Sequence, residues 1–241
     1  MADALLTQLI ADLRPRVEAV RAEIARAAAR SGRGAEAVRL VAVTKTHPPA
    51  VLAAAAAVGL ADLGENYLQE AADKFTALGW PPATAGAAPV QRHFIGHLQS
   101  NKLRPALTWL DLIHSVDSVK LAERLDRLAA AIRPTPVPVL LQVNTSGEST
   151  KSGFFFDALE GVLLRLANLA HIHVCGLMTI GRFEPDPDAA RREFIALRTL
   201  RDRLQRQAPD GMRLTELSMG MSHDFSVAIE EGATIVRVGS R

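Results

Sequence analysis

The chain alternates short apolar runs with longer segments of helical periodicity. Eight of the runs are rich in Val, Ile and Leu and predict β-strands. They cover residues 38–43, 61–65, 92–96, 110–114, 137–143, 172–178, 213–218 and 234–238. Strands that are buried on both faces read as continuous apolar runs, so this pattern indicates parallel pairing with helices covering the sheet.

Helical patterns fill the remaining chain. Residues 1–31 carry apolar side chains at intervals of four and three and predict an N-terminal amphipathic helix, bent or interrupted at Pro15. Further helices are predicted to open at Pro48-Pro49, after an Asp117 cap, between Phe154 and Leu166, and at Asp186-Pro187.

Eight strand–helix units favour an α/β fold of the (β/α)8 barrel type, with an open doubly wound sheet as the alternative. No stretch of the sequence reads as a linker between domains. We therefore predict one barrel domain over residues 1–241, with the helical segment 1–31 packed on it.

Composition narrows the classes of function. The formal net charge is +2, and the basic residues alternate with acidic ones, which disfavours nucleic acid as a partner. The single cysteine excludes an intrachain disulfide and favours a reducing compartment. The amino-terminal residues do not resemble a signal peptide, and no uncharged run is long enough to span a bilayer. These features predict a soluble, cytoplasmic protein that does not bind membranes.

Lys45 ends the first predicted strand, just before a Thr-His-Pro-Pro turn. It is one of only five lysines among 28 basic residues, so a lysine here favours a role for its amine. Desolvation or nearby cations lower the pKa of a lysine and make its amine nucleophilic. An ordinary lysine at a strand end is the alternative.

Small and polar residues also follow the last two predicted strands, in Gly220-Met221-Ser222 and in Gly239-Ser240. The carboxyl ends of the strands form the active-site rim of such barrels, and the loops after strands seven and eight often bind phosphate. The first of these turns leads directly into a helical pattern, whose free N–H groups would face an anion. An amine opposite a phosphate pocket predicts a Schiff base with pyridoxal 5′-phosphate or, as the alternative, with a sugar phosphate.

No metal site is predicted. His171, His173 and Cys175 alternate along one strand, so the outer two lie about 13 Å apart, too far for one zinc ion, and core packing is favoured.

The segments "VAVTKT", "GENYLQE", "HFIGHLQSNK", "HSVDS", "GLMTI" and "LSMGMSHDFSVAIEEGATIVRVGSR" resemble the pyridoxal phosphate homeostasis protein family, the single-domain relatives of the alanine racemase barrel. The resemblance implies pyridoxal 5′-phosphate as cofactor, bound as an aldimine on Lys45. It implies that Arg237 faces the pyridine nitrogen and that Asn66 lies near the aldimine. It also implies phosphate contacts from Met221, Ser222, Gly239 and Ser240, and Lys151 as a position that could receive the cofactor during transfer.

Two functions remain open. A cationic arginine at the ring nitrogen disfavours protonation of that nitrogen and weakens the cofactor as an electron sink. The only tyrosine, Tyr67, has no mark of a second racemase base. We therefore predict a cofactor-binding protein of vitamin B6 homeostasis with little or no turnover, with a weak amino-acid racemase as the alternative. The expected partners are the cofactor and enzymes that receive it, and the expected state is a monomer or weak dimer.

Overall fold

A computed structural model describes residues 2–83, 89–145, 152–181 and 186–239. In these ranges eight parallel strands close into a barrel in sequence order, with β1 paired to both β2 and β8. The strands are β1 (Arg39–Val43), β2 (Asp62–Glu65), β3 (Gln91–Phe94), β4 (Leu112–Val116), β5 (Val137–Gln142), β6 (Ile172–Met178), β7 (Glu216–Ser218) and β8 (Ile235–Val238). The predicted barrel is confirmed, and each predicted strand overlaps an observed one.

Helices surround the barrel, as the parallel pairing requires. They are α1 (Ala2–Arg30), α2 (Pro49–Ala57), α3 (Leu68–Ala77), α4 (Leu103–Trp109), α5 (Val119–Ile132), α6 (Phe156–Ala167), α7 (Pro187–Gln207) and α8 (Phe225–Glu230). Most of the apolar core lies between these helices and the sheet, while a smaller cluster fills the barrel interior: Val41, Leu112, Leu140, Met178 and Ile235.

Several helix starts differ from the prediction by one or two residues. The cap of α5 is Ser118, whose hydroxyl accepts the N–H of Leu121, rather than Asp117. Helix α6 begins at Phe156, because Phe154 instead forms a β-bridge with Val143. The start of α7 is confirmed, with an Asp186 cap followed by a first-turn proline.

The N-terminal helix α1 packs along α2 and α8 and runs through Pro15 as a single helix, so of the two expectations, a bend or an interruption, the interruption is wrong. Its second half buries Val17, Val20, Ile24, Ala27 and Ala28. The guanidinium of Arg33, just after the helix, donates to the carbonyls of Ala233 and Ile229 and fixes this end against the α8–β8 turn.

No helix among the described residues is both long enough and apolar enough to cross a bilayer.

Candidate functional site

A cavity of about 390 Å³ opens at the carboxyl ends of the strands. Six of the seven predicted cofactor residues line it: Lys45, Asn66, Met221, Ser222, Arg237 and Gly239. The wall also includes Val43, Ile95, Ile180 and His223, which the sequence did not single out. Ser240 and Lys151 lie outside the described residues. The fold therefore brings together residues that come from the segment after β1, the β2–α3 loop, β8 and the turns after β7 and β8.

Lys45 is held between two anchored neighbours. On one side the carbonyl of Thr44 accepts from the Nζ of Lys74 at 2.8 Å. On the other side the N–H of Thr46 donates to Oε1 of Glu70 at 2.5 Å. Thr46 has a φ of 65°, in the left-handed region that a β-branched residue rarely adopts. The backbone that carries Lys45 is therefore fixed by tertiary contacts, while its side chain is exposed toward the cavity rather than buried.

A buried ion pair stands behind this segment. Lys74 is 5% exposed and Glu65 is fully buried, and Nζ of Lys74 lies 3.0 and 3.2 Å from the two carboxylate oxygens of Glu65. The hydroxyl of Thr44 donates to the same carboxylate at 2.7 Å. Desolvation raises the pKa of Glu65, although the hydrogen bonds from Thr44 and Lys74 act in the opposite direction.

The two rim turns contact each other. The N–H of Gly239 donates to the hydroxyl of Ser222 at 3.2 Å, which joins the turn after β8 to the turn after β7. Helix α8 begins at Phe225, the first residue of the predicted helical pattern, so the amide of Met221 lies in the preceding turn and is not a free helix-start N–H. The N–H of Met221 instead donates to Oδ1 of Asp224 at 2.5 Å. The turns form one concave wall, but the amide of Met221 already donates its hydrogen bond to the carboxylate of Asp224.

Arg237 closes the inner end of the cavity. It is 4% exposed, and its guanidinium donates to the hydroxyl of Ser218 at 2.6 Å and to the carbonyl of Thr179 at 2.8 Å. Desolvation lowers the pKa of Arg237 to about 10, with Asp224 acting in the opposite direction. The guanidinium therefore remains a cation at neutral pH, and the N–H groups that these two bonds leave over can donate to a ligand.

Asn66 supplies an unpaired acceptor. Its Oδ1 atom is buried and makes no hydrogen bond within the described residues. Buried polar atoms are rarely left unpaired, because each loses its hydration without compensation. A ligand with a hydrogen-bond donor would satisfy this atom. The cavity wall therefore combines the amine of Lys45, the guanidinium of Arg237, the unpaired Oδ1 of Asn66 and the two turns joined through Ser222.

His114 and Ser218 lie inside the barrel and are fully buried. Ser218 touches Arg237 directly, and the pattern could not reveal this because contacts across a barrel depend on its closure. Tyr67 is 57% exposed and lines a neighbouring cavity rather than the one with Lys45. His171 and His173 are exposed, so core packing was wrong for them. In the ranges that the structure describes, no cluster of His, Cys, Asp and Glu could hold a metal ion.

Comparison with known proteins gives consistent matches along the chain. The family model of the alanine racemase N-terminal domain matches residues 16–241. The pyridoxal phosphate homeostasis protein of Pseudomonas aeruginosa is 42% identical over 222 residues, covering 92% of this chain and 90% of the relative. That of Aquifex aeolicus is 40% identical over 225 residues, covering 93% of this chain and 94% of the relative.

Solved structures support the same family and the same fold. PipY of Synechococcus elongatus, determined with pyridoxal phosphate bound, superposes with a TM-score of 0.77 at 40% identity, covering 85% of this chain and 91% of PipY. Alanine racemase of Corynebacterium glutamicum gives a TM-score of 0.63 at 19% identity, covering 92% of this chain and 59% of the racemase, a likeness of fold alone. From this extent of similarity, the chain belongs to the pyridoxal phosphate homeostasis protein family, whose barrel is that of the alanine racemase N-terminal domain.

Proposed function

We propose that this chain binds pyridoxal 5′-phosphate as a Schiff base on Lys45 and serves to hold or deliver the cofactor, with little or no turnover. Arg237 faces the ring nitrogen, and the turns containing Ser222 and Gly239 hold the phosphate. The observation that carries the proposal is the convergence of these residues on one cavity. The pyridoxal phosphate bound to PipY supports the choice of ligand.

The residues present fit this cofactor chemically. The ligand needs an amine for its aldehyde, a partner for its ring nitrogen and donors for its phosphate, and the cavity offers Lys45, Arg237 and the joined rim turns. The buried Oδ1 of Asn66 can accept a hydrogen bond from a donor on the ligand. Phosphate binding by the amide of Met221 requires that Asp224 give up its hydrogen bond to that amide.

When bound, the cofactor supplies an aldehyde whose carbon forms a C=N bond with a primary amine while water leaves. The protein contributes orientation. Thr44 and Thr46 are tied to α3 through Lys74 and Glu70, so the amine of Lys45 is presented from a fixed backbone at the cavity mouth. This arrangement favours reversible capture of an aldehyde, because exposure of Lys45 leaves the amine accessible from solution.

Arg237 argues against efficient turnover. Its guanidinium stays charged at neutral pH and can only donate, so a ring nitrogen that accepts from it remains unprotonated. An unprotonated ring withdraws electrons weakly and stabilises a substrate carbanion poorly. Binding and release are therefore favoured over chemistry on an amino acid.

The racemase alternative requires a second acid–base residue in the cavity besides Lys45. Two-base racemization needs a proton-carrying group on each face of the substrate, and Tyr67 lies in the neighbouring cavity. His223 shares the cavity with Lys45 and is the side chain that could serve the second face. The test is prolonged incubation with single L-amino acids. If the protein forms a D-isomer faster than free cofactor does, and His223→Gln abolishes the excess, the racemase hypothesis replaces the carrier hypothesis.

The direct test of binding is an absorbance scan of purified protein with added pyridoxal 5′-phosphate. We expect a near-visible band from the conjugated C=N bond, absent in Lys45→Ala and retained in Lys120→Ala, an exposed lysine on α5. An identical band in Lys45→Ala would refute the assignment of Lys45, and no band in any variant would refute the function.

A further inference from the structure

A continuous chain of hydrogen-bonding groups crosses the interior of the barrel beneath the cavity. It starts at the guanidinium of Arg237 on β8 and ends at the carboxylate of Asp62, the first residue of β2. Successive contacts are Arg237 Nη1 to Ser218 Oγ at 2.6 Å, Ser218 Oγ to His114 Nδ1 at 2.8 Å, His114 Nε2 to His93 Nδ1 at 2.9 Å, and His93 Nε2 to Asp62 Oδ1 at 2.9 Å.

Each member of this chain is shielded from water. Exposed fractions are 4% for Arg237, zero for Ser218 and His114, 1% for His93 and 8% for Asp62. The chain passes from the carboxyl half of the barrel, at β7 and β8, across to β4 and β3 and down to the amino end of β2. The cofactor cavity is therefore linked by contiguous hydrogen-bonding groups to the opposite end of the barrel.

Asp62 fixes where the protons lie. Its carboxylate can only accept, so Nε2 of His93 donates and, with one proton on that ring, Nδ1 of His93 accepts. His114 then donates through Nε2 and accepts through Nδ1, which receives the hydroxyl proton of Ser218. The hydroxyl oxygen of Ser218 accepts a hydrogen bond from Arg237. Every bond thus points from the cation to the carboxylate, and neither imidazole needs a second proton.

The reverse direction needs one more acceptor and one more proton than the forward direction. If Nδ1 of His114 donated to Ser218, that hydroxyl would accept from both His114 and Arg237, and its own proton would need another acceptor. His93 would then have to carry protons on both nitrogens to donate to both His114 and Asp62. Burial, with additional effects from His93, Arg237 and Arg39, lowers the pKa of His114 well below its usual value, which agrees with a single proton on this ring.

We propose that Ser218, His114, His93 and Asp62 are positioning residues for Arg237, holding its guanidinium at one angle to the cofactor through a unidirectional hydrogen-bond chain. The part of this inference that concerns the ligand rests on the function proposed above. The residues act through Arg237 and do not touch the cofactor themselves.

A purely space-filling role does not explain these residues. The barrel interior also holds an apolar cluster that includes Val41, Leu140 and Met178, so aliphatic side chains satisfy the packing in that part of it. Buried polar networks are tolerated only when all members are paired, and then they specify one geometry. The charges at the far end are also ordered: Arg39 lies 3.9 Å from Oδ1 of Asp62 and 3.4 Å from Glu216, which keeps the carboxylate end in place.

Nitrogen-15 NMR of the imidazoles in protein without added cofactor tests the chain by itself. We expect the rings of His93 and His114 each to carry one proton, on Nε2, at neutral pH. Ser218→Ala should shift the Nδ1 signal of His114, while His173→Gln, a substitution at an exposed position on β6, should leave both rings unchanged. A proton on Nδ1 of either ring, or no response to Ser218→Ala, would overturn the proposal.

A double-mutant cycle tests the link to Arg237. Ser218→Ala should weaken pyridoxal 5′-phosphate binding roughly tenfold, as expected when a hydrogen bond to a charged group is lost. Ser218→Thr, which keeps the hydroxyl, should bind within about threefold of the unmodified protein. In an Arg237→Lys background, Ser218→Ala should change affinity less than twofold, because its intermediary is gone. Equal losses in both backgrounds would show that Ser218 does not act through Arg237.

The two proposals fail in different ways. If the unmodified protein binds no pyridoxal 5′-phosphate, the proposed function fails, and the NMR arm alone still decides whether the hydrogen-bond chain exists. If binding is normal and additive losses are found, the positioning role fails while the function stands.

Discussion

Replacing Lys74 by methionine tests how the segment carrying Lys45 is held. The substitution keeps the approximate length of the side chain but removes the cation that contacts Glu65, Glu70 and the carbonyl of Thr44. Glu65 is fully buried, and among the described residues its carboxylate would keep only the hydroxyl of Thr44 as a hydrogen-bond partner. We expect the variant to be less stable and to bind the cofactor less well.

The magnitude follows from burial of the pair. Removing one partner of a buried ion pair is destabilising by about 3–5 kcal/mol, because the other charge is left uncompensated. For a chain of this size each kcal/mol corresponds to about 2–4 °C in Tm, so Lys74→Met should lower Tm by about 6–20 °C. Glu65→Gln combined with Lys74→Met removes both charges and should recover most of this loss.

The loss should also depend on pH. Burial already raises the pKa of Glu65, and removing Lys74 raises it further above the unfolded value. A raised carboxyl pKa gives stability that is present below the unfolded pKa and lost as pH rises through the folded pKa. The Tm gap between the variant and the unmodified protein should therefore be widest at neutral pH and narrow near pH 4.5 or below.

Thermal unfolding followed by circular dichroism across this pH range is the assay. Lys120→Met, at an exposed lysine of α5, is the matched control and should change the free energy of unfolding by less than about 0.5 kcal/mol. A Lys74→Met variant within about 1 kcal/mol of the unmodified protein at pH 7 would refute the reasoning, as would a double variant no more stable than the single one.

Two further predictions concern the same rim. Gly220 has a φ of 90°, and an added Cβ would lie 2.5 Å from the Cβ of Ala228, so Gly220→Ala should destabilise by roughly 2–3 kcal/mol. Gly32→Ala, also at positive φ but with open space around it, should lose only about 1 kcal/mol in the same denaturation assay, and equal losses would contradict the clash. Partial desolvation raises the pKa of Glu70, but hydrogen bonds from Lys74 and a backbone N–H outweigh this effect, and the pKa is lowered overall. Glu70→Gln should therefore lower the free energy of unfolding by less than about 1 kcal/mol at neutral pH. This difference should vanish as pH falls through the lowered pKa of Glu70. A difference that persists in acid would count against the contact.

The barrel could be predicted from the sequence because its signals are local. Apolar runs and caps such as Asp186-Pro187 report secondary structure directly, and eight repeated units leave few ways to close a sheet. The strand ends then mark the rim, which is why Lys45 and the turn of Met221 and Ser222 could be placed near one another, whereas Asn66 and Arg237 were expected there from the family resemblance.

The remaining features depend on closure of the barrel. Ser218 and His114 are 104 residues apart in the chain and meet only because β4 and β7 face each other across the interior. The hydrogen bond from the Met221 amide to Asp224 likewise depends on the conformation of the turn before α8. Neither contact leaves a periodic signal in the sequence.

Borohydride reduction of the protein with pyridoxal 5′-phosphate, followed by peptide mapping, tests the central claim most directly. The chain has five lysines, so the labelled position can be read without ambiguity. We expect a single reduced pyridoxyl label on Lys45, with none on Lys74, which is buried in its ion pairs. A label on another lysine, or no label at all, would contradict it.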